Sequence, residues 1–333
     1  MKKNKIILLI VLALLVFAGF LYFSQKSNTI KKELSDFAVE DTGKIEKLFL
    51  VDNEKRSVLL ERTNPGRWNL NGKFEARADA VNVLLSTIKR VAVKTPVPKS
   101  AFDNVVKQIA AKHVKIEIYS EGDNLIKSYY VGHPNQEHNG TYMLLENSSV
   151  PFLMHIEGFR GFLTPRYFTN ENEWRSTAVF QYSYDEISQI KLEYPDKPGK
   201  SFFISNLGNN KFSLGNPENL KQSIPFDTVA LMKYVSLFQK INFEGFEETK
   251  TGQFIDSVIH SSPIQVFSVT DKNGKVKTVK MFLKPSSQGP EDNGAGPVTY
   301  DLERFYGYID DKDFVVLQYF VFDPILKTKD DFR

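Results

Sequence analysis

From about residue 43 onward, apolar and polar residues alternate in short runs broken by Gly, Pro, Asn and Asp. The stretch 44–70 reads as a period-two strand, a polar turn and a second strand, closing on Trp68-Asn69-Leu70, which is a hairpin pattern. The period then lengthens. Residues 78–91 place Val81, Leu84, Leu85, Ile88 and Val91 on one face of a predicted helix. A second helix over 99–110 carries a stripe of Phe102, Val105, Val106 and Ile109. Strand patterns follow at 114–119, 128–131, 141–145 and 152–156.

The same succession then runs again. Residues 186–214 form a second hairpin pattern, with Phe212-Ser213-Leu214 where Trp68-Asn69-Leu70 stood. A helix over 225–241 puts Val229, Met232, Val235 and Phe238 on one face. Another over 250–260 aligns Phe254, Ile255, Val258 and Ile259. Strands are predicted at 264–269, 276–282, 306–309 and 314–317, about 140–160 residues after their counterparts. The Gly/Pro-rich stretch 286–297 reads as an exposed loop inserted in the second copy. The predicted fold class is α+β: an N-terminal transmembrane helix followed by two tandem copies of a mixed helix/antiparallel-sheet module, at 43–176 and 177–333.

Ahead of the modules, residues 6–23 are uncharged and apolar, bounded by MKKNK and SQKSNTIKK. Such a run spans roughly 27 Å as a helix, about the thickness of a bilayer's hydrocarbon core. It reads as a signal anchor through Ile6, Leu9, Leu12, Leu15, Phe20 and Phe23, between a cytoplasmic stub at 1–5 and a stalk at 24–42. Cleavage after Val16-x-Ala18 is the competing reading. Lys2, Lys3 and Lys5 favour a cytoplasmic N-terminus, which predicts a single-pass inner-membrane protein with its bulk in the periplasm.

Charge sharpens this picture. The chain has 43 Lys and Arg against 40 Asp and Glu, and those three leading lysines account for the whole excess of +3. The remainder is formally neutral, without the concentrated basic face of a nucleic-acid binder. Cysteine is absent, which excludes an acylated lipoprotein, thiolate metal sites and a cysteine nucleophile.

Catalytic patterns are equally scarce. The sequence contains no phosphate-cradling glycine loop, no G-x-S-x-G elbow and no H-E-x-x-H pair. His133, Glu137 and His138, with His113 and His155, are the best metal candidates, but their spacing reads as loop histidines. Asp310, Asp311 and Asp313 read as a solvated turn. We therefore expect no catalytic residue, no metal and no cofactor. The dense Phe and Tyr content reads mostly as core.

The order of elements resembles the domain of unknown function 4340 family. The resemblance rests on the hairpin ending in Trp68-Asn69-Leu70, the AD-x-V-x-x-LL helix from Ala78 to Leu85, and the segments Val131-Gly132-His133-Pro134 and Gly140-Thr141-Tyr142. It implies a single-span envelope protein of the kind often encoded beside ABC-type or gliding-related transporter subunits, and it supplies no catalytic residues. Trp68, Asp79, Tyr142 and Trp174, with Phe212 and Asp227 in the second copy, are the candidate motif or partner-contact residues. The expected function is a non-enzymatic, periplasm-facing auxiliary subunit of an ABC-type transport system, held at the inner membrane through 6–23 and bound to membrane proteins such as a permease. A scaffold of an envelope motility or secretion machine is the alternative, and an envelope hydrolase or metal-dependent enzyme stands third. Nucleic acid is not an expected partner, and any small-molecule ligand is left open.

Overall fold

The computed structural model describes residues 35–333 except 218, 288 and 295. The chain divides between Ser176 and Thr177 into two compact units.

In the first unit, the strands are β1 (Lys47–Asp52), β2 (Ser57–Asn64), β3 (Arg67–Leu70), β4 (Phe74–Glu75), β5 (Val91–Pro96), β6 (Val114–Ser120), β7 (Asn124–Pro134), β8 (Thr141–Leu145) and β9 (Phe152–Ile156). Helices α1 (Ala78–Arg90), α2 (Phe102–Ala111) and the single turn α3 (Glu171–Trp174) complete it. All nine strands join one antiparallel sheet in the order β4-β3-β2-β1-β6-β7-β8-β9-β5. Because β4 and β5 are opposite edges, the chain crosses the width of the sheet through α1. Period-two alternation sorts the side chains between two faces. Ile116, Ile118, Tyr129, Val131 and Met143 point to the main core, where α1 adds Val81, Leu84 and Ile88. Tyr130, Tyr142 and Leu144 point the other way, onto Val105 and Ile109 of α2.

The second unit contains β10 (Ala178–Phe180), β11 (Ile187–Glu193), β12 (Phe202–Gly208), β13 (Lys211–Asn216), β14 (Asn219–Ser223), β15 (Ile241–Asn242), β16 (Gly245–Phe246), β17 (Gln265–Asp271), β18 (Val276–Pro285), β19 (Glu291–Asp292), β20 (Pro297–Val298), β21 (Tyr300–Ile309) and β22 (Asp313–Gln318). Its helices are α4 (Thr228–Ser236), α5 (Gly252–Ile259) and the single turn α6 (Tyr319–Phe322). Its main sheet runs β14-β13-β12-β11-β17-β18-β21-β22-β16, the same path strand for strand. Register agrees as well: Leu60 pairs with Leu70 and Arg62 with Trp68, while Ile204 pairs with Leu214 and Asn206 with Phe212. Trp68 and Phe212 thus occupy equivalent positions. Again one helix serves each face, α4 with the main core and α5 with Phe282, Tyr306 and Phe314.

Several expectations are corrected. The balance is not an even α+β mixture: two nine-stranded antiparallel sheets dominate, and among the described residues each unit has two helices longer than one turn. Short polar turns let strand follow strand, and the longer helices among the described residues stand where the chain crosses a sheet face. The transmembrane helix expected at 6–23 lies outside the described residues, and no helix among the described residues is long and apolar enough to cross a membrane. The expected stalk reaches too far, because Phe37 and Val39 are buried in the first core and the Val39 amide donates to the Ile88 carbonyl. Val91 begins β5 rather than ending a helix. Val229 is 60% exposed, so the inward face of α4 is instead Leu231, Tyr234 and Val235. The loop at 286–297 contains the small β19–β20 hairpin.

Candidate functional site

A concavity of the first unit forms where α1 begins and the segment after β9 returns to it. Arg77 stands in extended conformation just before α1, and its guanidinium grips Asp79 with Nη2 to Oδ2 at 2.6 Å and Nε to Oδ1 at 3.2 Å. Asp79 belongs in the first helical turn, where the positive end of the helix dipole favours a carboxylate. The hydrogen bond from Arg77 holds the Asp79 carboxyl below the ordinary carboxylate range, so it is ionised at neutral pH and poorly suited to donate a proton.

The returning segment is pinned at three points. The Arg77 amide donates to the Trp174 carbonyl at 2.8 Å, and the Ser176 amide donates to the Glu75 carbonyl at 2.8 Å. Farther along α1, Arg166 Nη1 donates to Thr87 Oγ1 at 3.0 Å, while its guanidinium lies 4.3 Å from the centre of the Phe159 ring. Trp174 is fully buried; its indole stacks on Phe168 at 4.2 Å and Nε1 donates to the Phe168 carbonyl at 2.9 Å. Between helix and segment lies an open groove of about 240 Å³ lined by Arg77, Asp79, Val83, Arg166, Phe168 and Glu173 among others. Two guanidinium groups and two carboxylates share it. Such a surface can hold polar groups of a partner, but it presents no nucleophile beside a base.

The six motif residues separate accordingly. Asp79 lines the groove, Trp174 braces it from behind, and Trp68 connects to it because the Ala76 amide donates to the Trp68 carbonyl at 2.8 Å. Trp68, Trp174 and Phe212 are all buried, so they build cores and present no contact surface to a partner. The Arg62 guanidinium covers Trp68 at 4.6 Å from the ring centre, and Phe212 meets Tyr184 edge-on at 5.4 Å. Tyr142 lies on the opposite face of the sheet, under α2, with its ring 5.1 Å from His133. Asp227 is the N-cap of α4, accepting from the Val229 amide at 2.7 Å and the Ala230 amide at 3.3 Å.

The histidines disperse. His113 bonds the Ile109 carbonyl, His138 packs on Phe162, and burial pushes the His133 imidazole toward its neutral form. Among the described residues, no cluster of three or more His, Asp or Glu is placed to hold a metal. Tyr129 and Tyr167 form a buried hydroxyl pair at 3.2 Å; burial pushes the Tyr167 phenol up to about 12 and raises the Tyr129 phenol well above its ordinary value, so both stay neutral.

Sequence reading missed the returning segment and its counterpart. In the second unit the Asp227 amide donates to the Phe332 carbonyl at 2.6 Å, repeating the Arg77–Trp174 bond. Phe332 is therefore the equivalent of Trp174, and Asp227 that of Arg77. A faint signal existed: Asn172-Glu173-Trp174 and Asp330-Asp331-Phe332 both end a polar, acidic pair with a large aromatic.

No curated protein and no solved structure matches the chain. One family model does, over residues 68–253, from the Trp68 strand to the start of α5 and across the division between the units. That match covers more than half of the chain, and the chain therefore belongs to the family defined by the domain of unknown function DUF4340.

Proposed function

We propose that this protein is a non-enzymatic, protein-binding auxiliary component of an ABC-type transport system, working on the extracytoplasmic side of the inner membrane. The observation that carries the reading is the groove beside α1. Three of its four ionisable groups are committed to each other or to the fold, in the pairs Arg77–Asp79 and Arg166–Thr87, and it is open rather than enclosed. Catalytic sites concentrate perturbed acids and bases in a cleft, whereas in this groove Arg77 and Asp79 shift each other toward the charged forms they already hold at neutral pH. The formally neutral remainder of the chain suits contact with protein rather than with nucleic acid.

The test is purification of the tagged full-length chain from gently solubilised native membranes, with quantification of what accompanies it. Permease and ATPase subunits recovered in fixed ratio support the reading. Motility or secretion components recovered without them would replace it with the scaffold alternative. A reporter fused after Arg333 tests the compartment, and a cytoplasmic signal would overturn that part.

A further inference from the structure

The second unit repeats the groove but with different chemistry. Matching the Asp227–Phe332 bond to the Arg77–Trp174 bond sets the two helices in register. Asp79 then corresponds to Val229 and Thr87 to Leu237. Val229 is 60% exposed and Leu237 40% exposed, so positions that bear polar groups holding the first groove together bear solvent-facing apolar side chains in the second. The slot is about 200 Å³, with Tyr234, Leu237, Pro324 and Phe332 among its walls. That is below the roughly 300–1,000 Å³ of small-molecule pockets and suits one large apolar side chain.

Its charge points to the rest of the occupant. Lys233 and Lys327 both line the slot, and neither forms an ion pair among the described residues. The one carboxylate in the lining, Asp331, accepts from the Thr328 amide at 2.7 Å and the Thr328 hydroxyl at 2.8 Å; it also feels the charge of Lys327, which acts on Asp323 as well, so Lys233 is the less opposed of the two lysines. Phe320 adds a third observation, being 91% exposed. The bonds from the Asp323 amide to the Tyr319 carbonyl and from the Leu326 amide to the Phe322 carbonyl carry helical turns through this segment. Phe320 precedes Pro324 by four residues and so shares its side of the turn. Exposed aromatics are typical anchors of protein recognition.

We propose that this groove docks a segment of a partner protein in which one large apolar side chain is flanked by carboxylates. The side chain fills the slot, the carboxylates meet Lys233 and Lys327, and Phe320 covers the apolar stem. The inference deepens the protein-binding reading and rests on it. Its test, however, uses no transporter, so the docking chemistry can fail while transporter co-purification succeeds, and the reverse.

The experiment is selection of a random phage-displayed dodecapeptide library on the immobilised full-length chain. The same library is selected in parallel on the K233E/K327E chain and on the Phe320→Ala chain. The expected result is enrichment of sequences with a large apolar residue flanked by Asp or Glu. A synthetic peptide of the consensus should bind at least tenfold more weakly to the charge-reversed chain, and more weakly to Phe320→Ala. Lys233 and Phe320 are exposed and Lys327 is half-buried; circular dichroism verifies that the variants remain folded. No enrichment, a basic or neutral consensus, or equal binding to the reversed chain would overturn the proposal. Self-association of the native chain that the K233E/K327E variant abolishes would assign the groove to a second copy and overturn it too.

Discussion

Phe332 closes the second unit, and its removal has a calculable cost. Only 2% of the side chain is exposed, with edge-on partners in Phe202 and Tyr234, both at 5.1 Å. Burying a phenylalanine takes about 200 Å² out of water, which at ~25 cal/mol per Å² sets a ceiling near 5 kcal/mol. Residual compactness of the unfolded chain lowers that figure, while the void left by truncation raises it. Phe332→Ala should therefore destabilise the second unit by about 3–5 kcal/mol, lowering its melting temperature on the order of 10 °C.

The assay can separate the units because both tryptophans, Trp68 and Trp174, lie in the first. Tryptophan fluorescence reports that unit alone, whereas far-ultraviolet circular dichroism reports both sheets. In thermal or urea unfolding of Phe332→Ala, part of the dichroism transition should move to milder conditions while the fluorescence transition stays in place. Hydrogen exchange should show the Asp227 amide losing protection, since its acceptor is the Phe332 carbonyl. An unmoved dichroism transition, or a fluorescence transition displaced by the same amount, would refute the view that this aromatic closes the second unit locally.

Three further outcomes are expected. Gly307 pairs with Met281 on β18, as Met143 pairs with Val131 on β7, and a Cβ built on it would sit 2.6 Å from Leu317 Cδ1. Gly307→Ala should cost about 1–3 kcal/mol by overpacking, and adding Leu317→Val should cost less than the sum of the two single changes, as measured by a double-mutant cycle. Asp227→Ala should lose about 1 kcal/mol of helix capping while Asp227→Asn stays near native, as read by urea midpoints. The Lys115 ammonium donates to Glu117 at 2.8 Å and Glu146 at 2.6 Å. Its hydrogen bond draws the Glu146 carboxyl below the ordinary range; at Glu117 burial opposes the same pull and is outweighed. Carboxylates depressed in the folded state stabilise it fully above their unfolded pKa, about 4.3, and that stability fades as pH falls through the lower folded values. Lys115→Met should flatten this acid limb, and an unchanged pH profile of tryptophan-detected unfolding would count against the cluster.

The central strands were legible because period-two alternation is a local signal that a solvated turn does not disturb. Leu48 and Leu50 on β1, or Ile190 and Leu192 on β11, declare their inward face within a few residues. Edge strands were not legible. Val91–Pro96 and Gly245–Phe246 are strands only because β9 and β22 present partners far away in sequence. The segments ending at Trp174 and Phe332 carry little periodicity for the same reason, since each is placed by bonds to residues distant in sequence, among them the one to the residue before a helix.

Asp79 and Asp227 show why a matched residue type is weaker than a matched bond. Asp79 and Asp227 both open a helix, and equating them aligns the two sequences two residues out of step. An acid is favoured at either place: before the helix it caps free amides, and within the first turn it meets the helix dipole. Those two physical reasons yield the same letter at different positions. The carbonyls of Trp174 and Phe332 do not share this ambiguity, because each accepts from one particular amide, that of Arg77 or Asp227. With the helices aligned on that bond, Val229 falls opposite Asp79 and Leu237 opposite Thr87. Their exposure then ceases to be a packing defect in a misaligned helix face and becomes a difference between two copies of one groove. The first copy binds its own side chains together; the second leaves apolar and basic groups facing outward.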